Sequence, residues 1–241
     1  MIKTLEKLAP DQLPQVIFLD AMGTLFDLKD GVGKIYQKYA FKYGVEADAQ
    51  QIEQAFMSSF KSASPLAFLT SDSSEIEQEE FDWWRQVVSE TFSQLNLREK
   101  FINFEAFFTE IYFYFGTKEP WYVFPDTIES LNRWHSRGIE LGVISNFDSR
   151  LLEILNILEL ERFFTSVTIS STAGFAKPNA GIFQIALAKH NSRADRAWHI
   201  GDSIKADYEG ARKAGLSSFW LNRPGQLLNI ENQLPNLCSL G

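Results

Sequence analysis

The chain has 241 residues, of which 45% are apolar, 14% aromatic and 22% charged. This composition supports a substantial buried core and argues against long disordered segments. The formal net charge of −8 argues against nucleic acids and anionic membrane surfaces as partners, because basic surfaces bind both.

The sequence carries no signal for export or for membrane insertion. Cys238 is the only cysteine, so a disulfide within the chain is excluded and a reducing compartment is favoured. The first residues, MIKTLEKLAPDQLP, contain no apolar stretch as long as that of a signal peptide. No run approaches the ~20 apolar residues of a membrane span. We therefore predict a cytoplasmic protein.

The first predicted element is a buried strand over residues 16–20, within the run VIFLDAMGTLFD. The strand ends at Asp20, and the Gly23-Thr24 pair that follows predicts a sharp turn. A carboxylate in this position faces the carboxyl edge of the sheet, where open α/β folds bind their ligands. Asp20 is therefore a candidate functional residue.

Apolar residues recur at helical spacing from about residue 31 to residue 121, and no buried strand is evident there. The last of these segments, residues 102–115, is strongly aromatic and is followed by Gly116, a common helix terminator. We predict a separate module of four or five packed helices at residues 31–121.

From Pro125 onward, short apolar strands alternate with amphipathic helices, which is typical of βαβ units and of a parallel sheet covered on both faces. The predicted strands cover residues 140–145, 166–170, 197–200 and 218–221, and the predicted helices residues 126–137, 149–158, 180–189 and 205–214. The strand at residues 16–20 has no partner nearby and joins this sheet most simply. The predicted fold class is α/β, a doubly wound, Rossmann-like parallel sheet of residues 1–30 and 122–241 with the all-helical module inserted.

Polar residues follow four of the predicted strands, and parallel strands bring their carboxyl ends to one edge of the sheet. These residues are Asp20, Ser145 with Asn146, Lys177 with Pro178, and Asp202 between Gly201 and Ser203. Each of these segments alone is a weak signal, since such pairs occur in many loops by chance. The ordered set, with each member after a strand, is a strong signal for one shared site.

The segments DAMGTLFD, VISNFD, GFAKPNAGIF and HIGDSIKADYEGARKAG resemble, in this order, the four motifs of the haloacid dehalogenase superfamily of hydrolases. The opening DAxGTLF pattern is similar to that of the branch with the rhythmically-expressed-gene-like proteins. The resemblance covers the whole α/β core. It implies that residues 31–121 are the helical cap domain that many members carry directly after the first motif.

The carboxylates at the predicted edge favour a covalent, metal-assisted reaction. Asp20 is the candidate nucleophile, because a carboxylate can form an acyl-phosphate and split one difficult step into two. Asp202 and, more peripherally, Asp207 would gather beside it, and such a set of hard oxygen ligands favours Mg²⁺. The resemblance adds the backbone carbonyl of Met22 as a ligand. For Asp207, direct ligation and an indirect role are equally supported.

A second set of residues is expected to bind a phosphate group. Lys177 would hold a phosphate oxygen and screen the charge of Asp20, so it is a catalytic candidate as well. The other candidates for substrate binding are Gly23, whose backbone approaches the ligand, Thr24, the Ser145 hydroxyl and the backbone N–H of Asn146. The three histidines, His135, His190 and His199, are expected away from these loops, as surface or core residues.

Met22 stands where most phosphatases of the family that this chain resembles carry an Asp. That Asp protonates the leaving oxygen and then activates water, and a thioether does neither. Such general acid–base help is worth about 10²–10⁴-fold. The sequence therefore predicts an enzyme, a hydrolase that cleaves phosphate esters with Mg²⁺, either with reduced power or on substrates with good leaving groups.

Other activities stay open. A metal-free 2-haloacid dehalogenase would suit the opening motif. However, the corresponding motif of those enzymes resembles Ser-Ser-Asn, where this chain has Gly201-Asp202-Ser203. They also use an Arg early in the cap, and the first Arg here is Arg85. A weakly active phosphate-binding or regulatory protein on the same scaffold is a second alternative. Phosphonate cleavage is a third, and it would need a cap lysine for a Schiff base.

Overall fold

The structure, a computed structural model, describes residues 5, 8–70, 72–223 and 230–241 of the chain. It consists of two compact units. One comprises Met1–Asp27, Ala67–Leu69 and Val123–Gly241, and the other Leu28–Leu66 and Thr70–Tyr122, counting in each case only the described residues. None of the helices in this part of the chain combines the length and the apolar character that a membrane span requires.

Most strands of the described residues belong to one parallel sheet in the first unit. In chain order the strands are β1 (Val16–Leu19), β2 (Phe26–Leu28), β3 (Trp121–Val123), β4 (Glu140–Ser145), β5 (Ser166–Ile169), β6 (Ala197–Gly201), β7 (Ser217–Leu221) and β8 (Gln233–Leu234). The large sheet has the order β5-β4-β1-β6-β7-β8, and each adjacent pair is parallel. β1 lies inside the sheet, with the later strands added first on one side and then on the other. This is doubly wound topology, as predicted.

Helices connect these strands and form the second unit. In the second unit they are α1 (Val32–Lys42), α2 (Ala49–Ser62), α3 (Ser73–Gln94) and α4 (Phe104–Tyr114). In the first unit they are α5 (Thr127–Ser136), α6 (Arg150–Ile157), α7 (Ser170–Ala173), α8 (Ala180–Lys189) and α9 (Gly210–Lys213), with a π-helix over Ile204–Glu209 directly before α9.

The register of the sheet aligns the ends of its three central strands. Leu19, the last residue of β1, pairs with Val143 of β4 and with Ile200 of β6. All residues of β1 and β6 are buried, as expected for strands covered on both faces. Asp20 and the residues that follow β4 and β6 therefore lie at one edge of the sheet.

The predicted α/β fold class is confirmed. The short strands β2, β3 and β8 are not predicted, and the segment from residue 204 to residue 213 differs from the expectation. The sequence predicts a single α-helix over residues 205–214, where the structure has the π-helix followed by α9. The wider turn begins where the Ser203 hydroxyl accepts from the N–H of Ala206, and it carries the Asp207 side chain inward. π-helical turns are found mostly at functional sites.

The second unit has an aromatic core. Tyr36 of α1 packs against the rings of Phe56, Phe92 and Phe107, which lie on the other three helices. The helices α2, α3 and α4 begin at side-chain N-caps, provided by Asp48, Asp72 and Asn103. The boundaries of core and cap, and the role of this unit as a cap, stay predictions.

Candidate active site

Asp20 is the first residue after β1, and it is buried. Its backbone N–H donates to the carbonyl of Ile200 at 2.9 Å, which extends the pairing of β1 with β6. Its Oδ1 accepts hydrogen bonds from the Ser145 hydroxyl at 3.0 Å and from Lys177 Nζ at 2.7 Å. Burial and the charge of Asp207 raise the pKa of Asp20 above its usual range, although Lys177 opposes them. The candidate nucleophile is thus a buried carboxylate held by two donors.

Lys177 joins the end of β1, the end of β4 and the π-helix through its ammonium group. Its Nζ donates to Asp20 Oδ1 at 2.7 Å, to the carbonyl of Ile144 at 2.7 Å and to Asp207 Oδ1 at 2.5 Å. The side-chain amide of Asn146 fixes the backbone of Lys177, donating to its carbonyl at 2.9 Å and accepting from its N–H at 2.7 Å. Burial disfavours the ammonium, but the two carboxylates outweigh it and raise the pKa of Lys177 above its usual range. Lys177 is therefore a fixed positive charge.

Asp207 lies within the π-helix, and its side chain is buried. Its Oδ1 contacts His199 Nε2 at 2.8 Å as well as Lys177, and its Oδ2 accepts from the N–H of Ser203 at 3.0 Å. A Cβ on Gly201 would lie 2.2 Å from the Asp207 carboxyl carbon, so only glycine leaves room for this carboxylate beside β6. Burial alone would raise the pKa of Asp207, but Lys177 and His199 hold it well below its usual range.

The expectation that His199 lies away from the site is wrong. His199 is a fully buried residue of β6, and its ring contacts Asp207 directly. His199 and Gly201 are two residues apart on one strand, so they face the same side of the sheet, and the π-helix brings Asp207 to that side. His190, by contrast, contacts Ser166 and Glu140, which are the first residues of β5 and β4.

Asp202 completes an acidic triad. One carboxylate oxygen from each of Asp20, Asp202 and Asp207 lies within 4.8 Å of the others. Asp202 is exposed as a residue, but its carboxyl lies close to the Gly23 backbone, and the Trp220 Nε1–H donates to its carbonyl at 2.7 Å. Withdrawal of this carboxyl from water and the charges of the other two carboxylates raise the pKa of Asp202 to about 7. Such a group of oxygens fits a divalent cation, which would relieve the repulsion.

Gly23 sets the distance between the turn after β1 and Asp202. Its φ of +80° lies in the region that favours glycine, and a Cβ would lie 2.6 Å from Asp202 Oδ2. Met22, one residue earlier, has a side chain that is partly exposed to solvent. The Thr24 hydroxyl is buried and has no hydrogen-bond partner among the described residues. The Gly23 backbone therefore lies close to Asp202, whereas the Thr24 hydroxyl makes no hydrogen bond to the site residues.

We expect Gly23→Ala to weaken Mg²⁺ binding, because the added methyl group displaces the Asp202 carboxylate. The positive φ should lower the free energy of unfolding by about 1–2 kcal/mol as well. Gly138→Ala is the matched control, because Gly138 has a φ of +75° but open space where its Cβ would be. Titration calorimetry with Mg²⁺ and urea unfolding should show similar destabilisation in both variants and weaker Mg²⁺ binding in Gly23→Ala alone. Equal Mg²⁺ affinity in the two variants would contradict the prediction.

Arg223 supports the same turn, and no sequence motif indicates it. Its guanidinium donates to the carbonyl of Thr24 at 2.6 Å and to Asp126 Oδ1 at 2.8 Å, and it lies 3.7 Å above the centre of the Phe124 ring. Asp126 Oδ2 also accepts from the N–H of Leu237 at 2.6 Å. Only the folded chain reveals this contact, because Arg223 lies far from Thr24 in sequence and outside the four motifs.

The structure places the predicted site residues at one edge of the sheet, within the first unit. Those that form one connected cluster are Asp20, Ser145, Asn146, Lys177, Asp202 and Asp207. Gly23 lies against this cluster, and Met22 and Thr24 flank it in the chain. Their roles in catalysis, substrate binding and metal binding stay predictions.

Comparison with known proteins identifies relatives over most of the chain. The family model described as haloacid dehalogenase-like hydrolase matches residues 14–215. The chain is 33% identical over 216 residues to the haloacid dehalogenase-like hydrolase domain-containing protein 3 of Bos taurus, covering 86% of this chain and 82% of that protein. It is 26% identical over 215 residues to the rhythmically expressed gene 2 protein of Drosophila melanogaster, covering 85% and 81%.

Solved structures share the fold at low sequence identity. A haloacid dehalogenase-family phosphatase from Thermococcus onnurineus has a TM-score of 0.62 at 21% identity, covering 94% of this chain and 95% of that one. The L-2-haloacid dehalogenase from Xanthobacter autotrophicus has a TM-score of 0.70 at 14% identity, covering 95% and 97%. These likenesses support the fold, while the family model and the relatives carry the assignment. The chain belongs to the haloacid dehalogenase-like hydrolases, in the branch of the rhythmically-expressed-gene-like proteins, and it is a hydrolase.

Proposed function

We propose that this hydrolase removes phosphoryl groups from small phosphorylated molecules, with Mg²⁺, through an aspartyl-phosphate on Asp20. The observation that supports this most is the position of Lys177 between Asp20 and Asp207, with Asp202 in the same carboxylate cluster. Three carboxylates exceed the charge of one lysine, so an anionic substrate is disfavoured unless a divalent cation joins the site. We further propose a cytoplasmic location, since a lone cysteine suits a reducing compartment.

The residues of the chain suit a two-step displacement. A carboxylate oxygen of Asp20 attacks phosphorus, and the bond from phosphorus to the leaving oxygen breaks. Water then attacks the phosphorus of the aspartyl-phosphate, and Asp20 leaves as a carboxylate. Lys177 Nζ contacts Asp20 and offers positive charge where the phosphoryl oxygens would lie, while the Ser145 hydroxyl orients the Asp20 carboxylate.

The donor set near Asp202 fits Mg²⁺, which prefers hard oxygen ligands and retains several waters. We assign Asp20, Asp202 and the backbone carbonyl of Met22 as its ligands. Mg²⁺, when bound, would offset the carboxylate charges and polarise the phosphoryl group. Asp207 is assigned to hold Lys177 instead, because both of its oxygens already accept hydrogen bonds from Lys177, His199 or Ser203.

Two alternatives make different use of the same scaffold. A metal-free dehalogenase would need no acidic triad, and the carboxylates of Asp202 and Asp207 beside Asp20 would disfavour an anionic haloacid. A regulatory protein would bind phosphate without turnover, and the replacement of the usual acid by Met22 is its main support. Phosphoryl transfer is favoured over both because the nucleophile, the lysine and the candidate metal ligands are all present.

A metal-removal experiment tests the proposal. We expect the purified protein to hydrolyse 4-nitrophenyl phosphate with Mg²⁺, to lose this activity in EDTA and to regain it when Mg²⁺ is restored. Asp202→Asn should need a higher Mg²⁺ concentration for half-maximal turnover, because one anionic ligand is lost. Chloride release from 2-chloropropionate in EDTA would replace the proposal by the dehalogenase. Binding of inorganic phosphate without turnover of any ester would favour the regulatory protein.

A further inference from the structure

Among the described residues of the first unit, the ionisable side chains that contact Asp20 or Lys177 provide no proton donor for a leaving group. Lys177 uses all three N–H bonds of its ammonium, on Asp20, Asp207 and the carbonyl of Ile144. Its side chain is 2% exposed, so water does not replace these acceptors. A lysine held in this way orients charge and does not give up its proton.

The other candidate proton donors, Asp207, His199 and Asp202, are not available either. Asp207 accepts hydrogen bonds at both oxygens, so it acts as an acceptor. His199 contacts Asp207 from the buried side, within β6, and does not face solvent. In the proposed function Asp202 is a metal ligand, and a ligating carboxylate is deprotonated. The side chain nearest in sequence to Asp20 with solvent access is Met22, whose thioether carries no proton.

The chemistry of the leaving oxygen then decides which substrates react. An alkoxide resembles hydroxide, the conjugate base of water with a pKa of about 15.7, and it departs very slowly without a proton. A phenoxide is better, with a pKa of about 10 for its acid. A carboxylate, with a pKa of about 4, departs as a stable anion. A phosphate oxygen, with a second pKa of about 6, does so as well.

We propose that the site is specific for phosphoryl groups carried on an acidic oxygen, that is, for acyl phosphates and phosphoanhydrides rather than sugar or other alkyl phosphates. This inference rests on the proposed function. The bond from Asp20 to phosphorus forms as the bond to the leaving oxygen breaks, and the electron pair stays on that oxygen. The leaving group departs as carboxylate or phosphate, so no proton is needed from the protein.

The second step has no corresponding advantage. Within the described cluster no side chain is free to take the proton of the water that attacks the aspartyl-phosphate, so this proton passes to the phosphate product or to bulk water. A good leaving group accelerates the first step only, so the phosphorylated form of Asp20 should accumulate during turnover. This gives a kinetic signature that is separate from the substrate preference.

The test compares acetyl phosphate, 4-nitrophenyl phosphate, phenyl phosphate and ethyl phosphate with Mg²⁺. We expect kcat/KM to fall steeply in this order, with acetyl phosphate at least about 10⁴-fold above ethyl phosphate, the upper range of what a general acid supplies. Met22→Asp should raise kcat/KM for phenyl and ethyl phosphate by about 10²-fold or more and flatten the dependence on the leaving group. Met22→Asn is the matched control, because its amide has the shape of Asp without an acidic proton, and the steep dependence should persist.

Trapping of the intermediate gives the second readout. Acid-quenched wild-type protein should carry phosphate on Asp20 in near-stoichiometric amounts with acetyl phosphate, and Met22→Asp should carry less. Equal kcat/KM for acetyl and ethyl phosphate in the wild type would overturn the inference and leave the phosphatase standing. Absence of Asp20-dependent turnover and of trapped phosphate with all four substrates would instead overturn the proposed function itself.

Discussion

Asp20→Asn is expected to abolish phosphoryl transfer while leaving the fold intact. An amide does not displace the leaving oxygen, so no aspartyl-phosphate forms and the covalent route closes. Loss of a nucleophile in other enzymes lowers kcat by several orders of magnitude, and we expect a fall of roughly 10³-fold or more here. The measurement is turnover of acetyl phosphate with Mg²⁺, together with acid-quench trapping of phosphate on the protein.

The stability of this variant should not fall with its activity. Burial, together with the charge of Asp207, raises the pKa of Asp20, so at neutral pH the ionised form is less favourable in the fold than in the unfolded chain. The Asn side chain retains an oxygen that accepts from Ser145 and Lys177. Urea unfolding at pH 7 in EDTA should therefore give a free energy of unfolding equal to or above that of the wild type.

Asp195→Asn is the matched control for Asp20→Asn. Asp195 is exposed and pairs with Arg193, so its replacement should leave turnover, trapping and stability near wild-type values. Asp20→Asn protein that retains turnover would show that another group attacks phosphorus. A large loss of stability in Asp20→Asn would show that Asp20 contributes mainly to the fold.

The sequence predicts the position of Asp20 and Asp202 well because both follow continuous apolar strands. β1 and β6 are buried on both faces, so hydrophobicity alone locates them, and parallel pairing then brings their ends together. Nothing beyond the order of strands and helices is needed for this step. The same reasoning places Ser145 and Lys177 at that edge.

The inner side of the site could not be predicted in the same way. His199 is one residue within an apolar strand, and its contact with Asp207 depends on the π-helix, which hydrophobic periodicity does not indicate. Arg223 reaches Thr24 through a loop contact with no periodic signal. Contacts between distant loops depend on tertiary geometry, whereas the spacing of apolar residues in the sequence predicts strands and helices.

Lys177→Met should both destabilise the protein and disable the site. Lys177 is buried between Asp20 and Asp207, and Met fills similar volume without charge. Removing one partner from a buried ion pair leaves uncompensated charge and costs about 3–5 kcal/mol. We expect the free energy of unfolding at pH 7 to fall by about this amount in urea unfolding. The difference from the wild type should shrink at acid pH, because Asp20 and Asp207 take up protons in the folded variant and then need no ammonium beside them.

Turnover should fall together with stability in Lys177→Met, but the two effects separate under stabilising conditions. At a temperature where the variant is fully folded, we expect acetyl phosphate turnover to remain about 10²–10³-fold below wild type, because the preorganised positive charge beside Asp20 is lost. Lys189→Met is the control, since the Lys189 ammonium donates to the carbonyl of Val167 and has no contact with the cluster carboxylates. Near-normal turnover in folded Lys177→Met would show that this lysine stabilises the fold and takes no part in phosphoryl transfer.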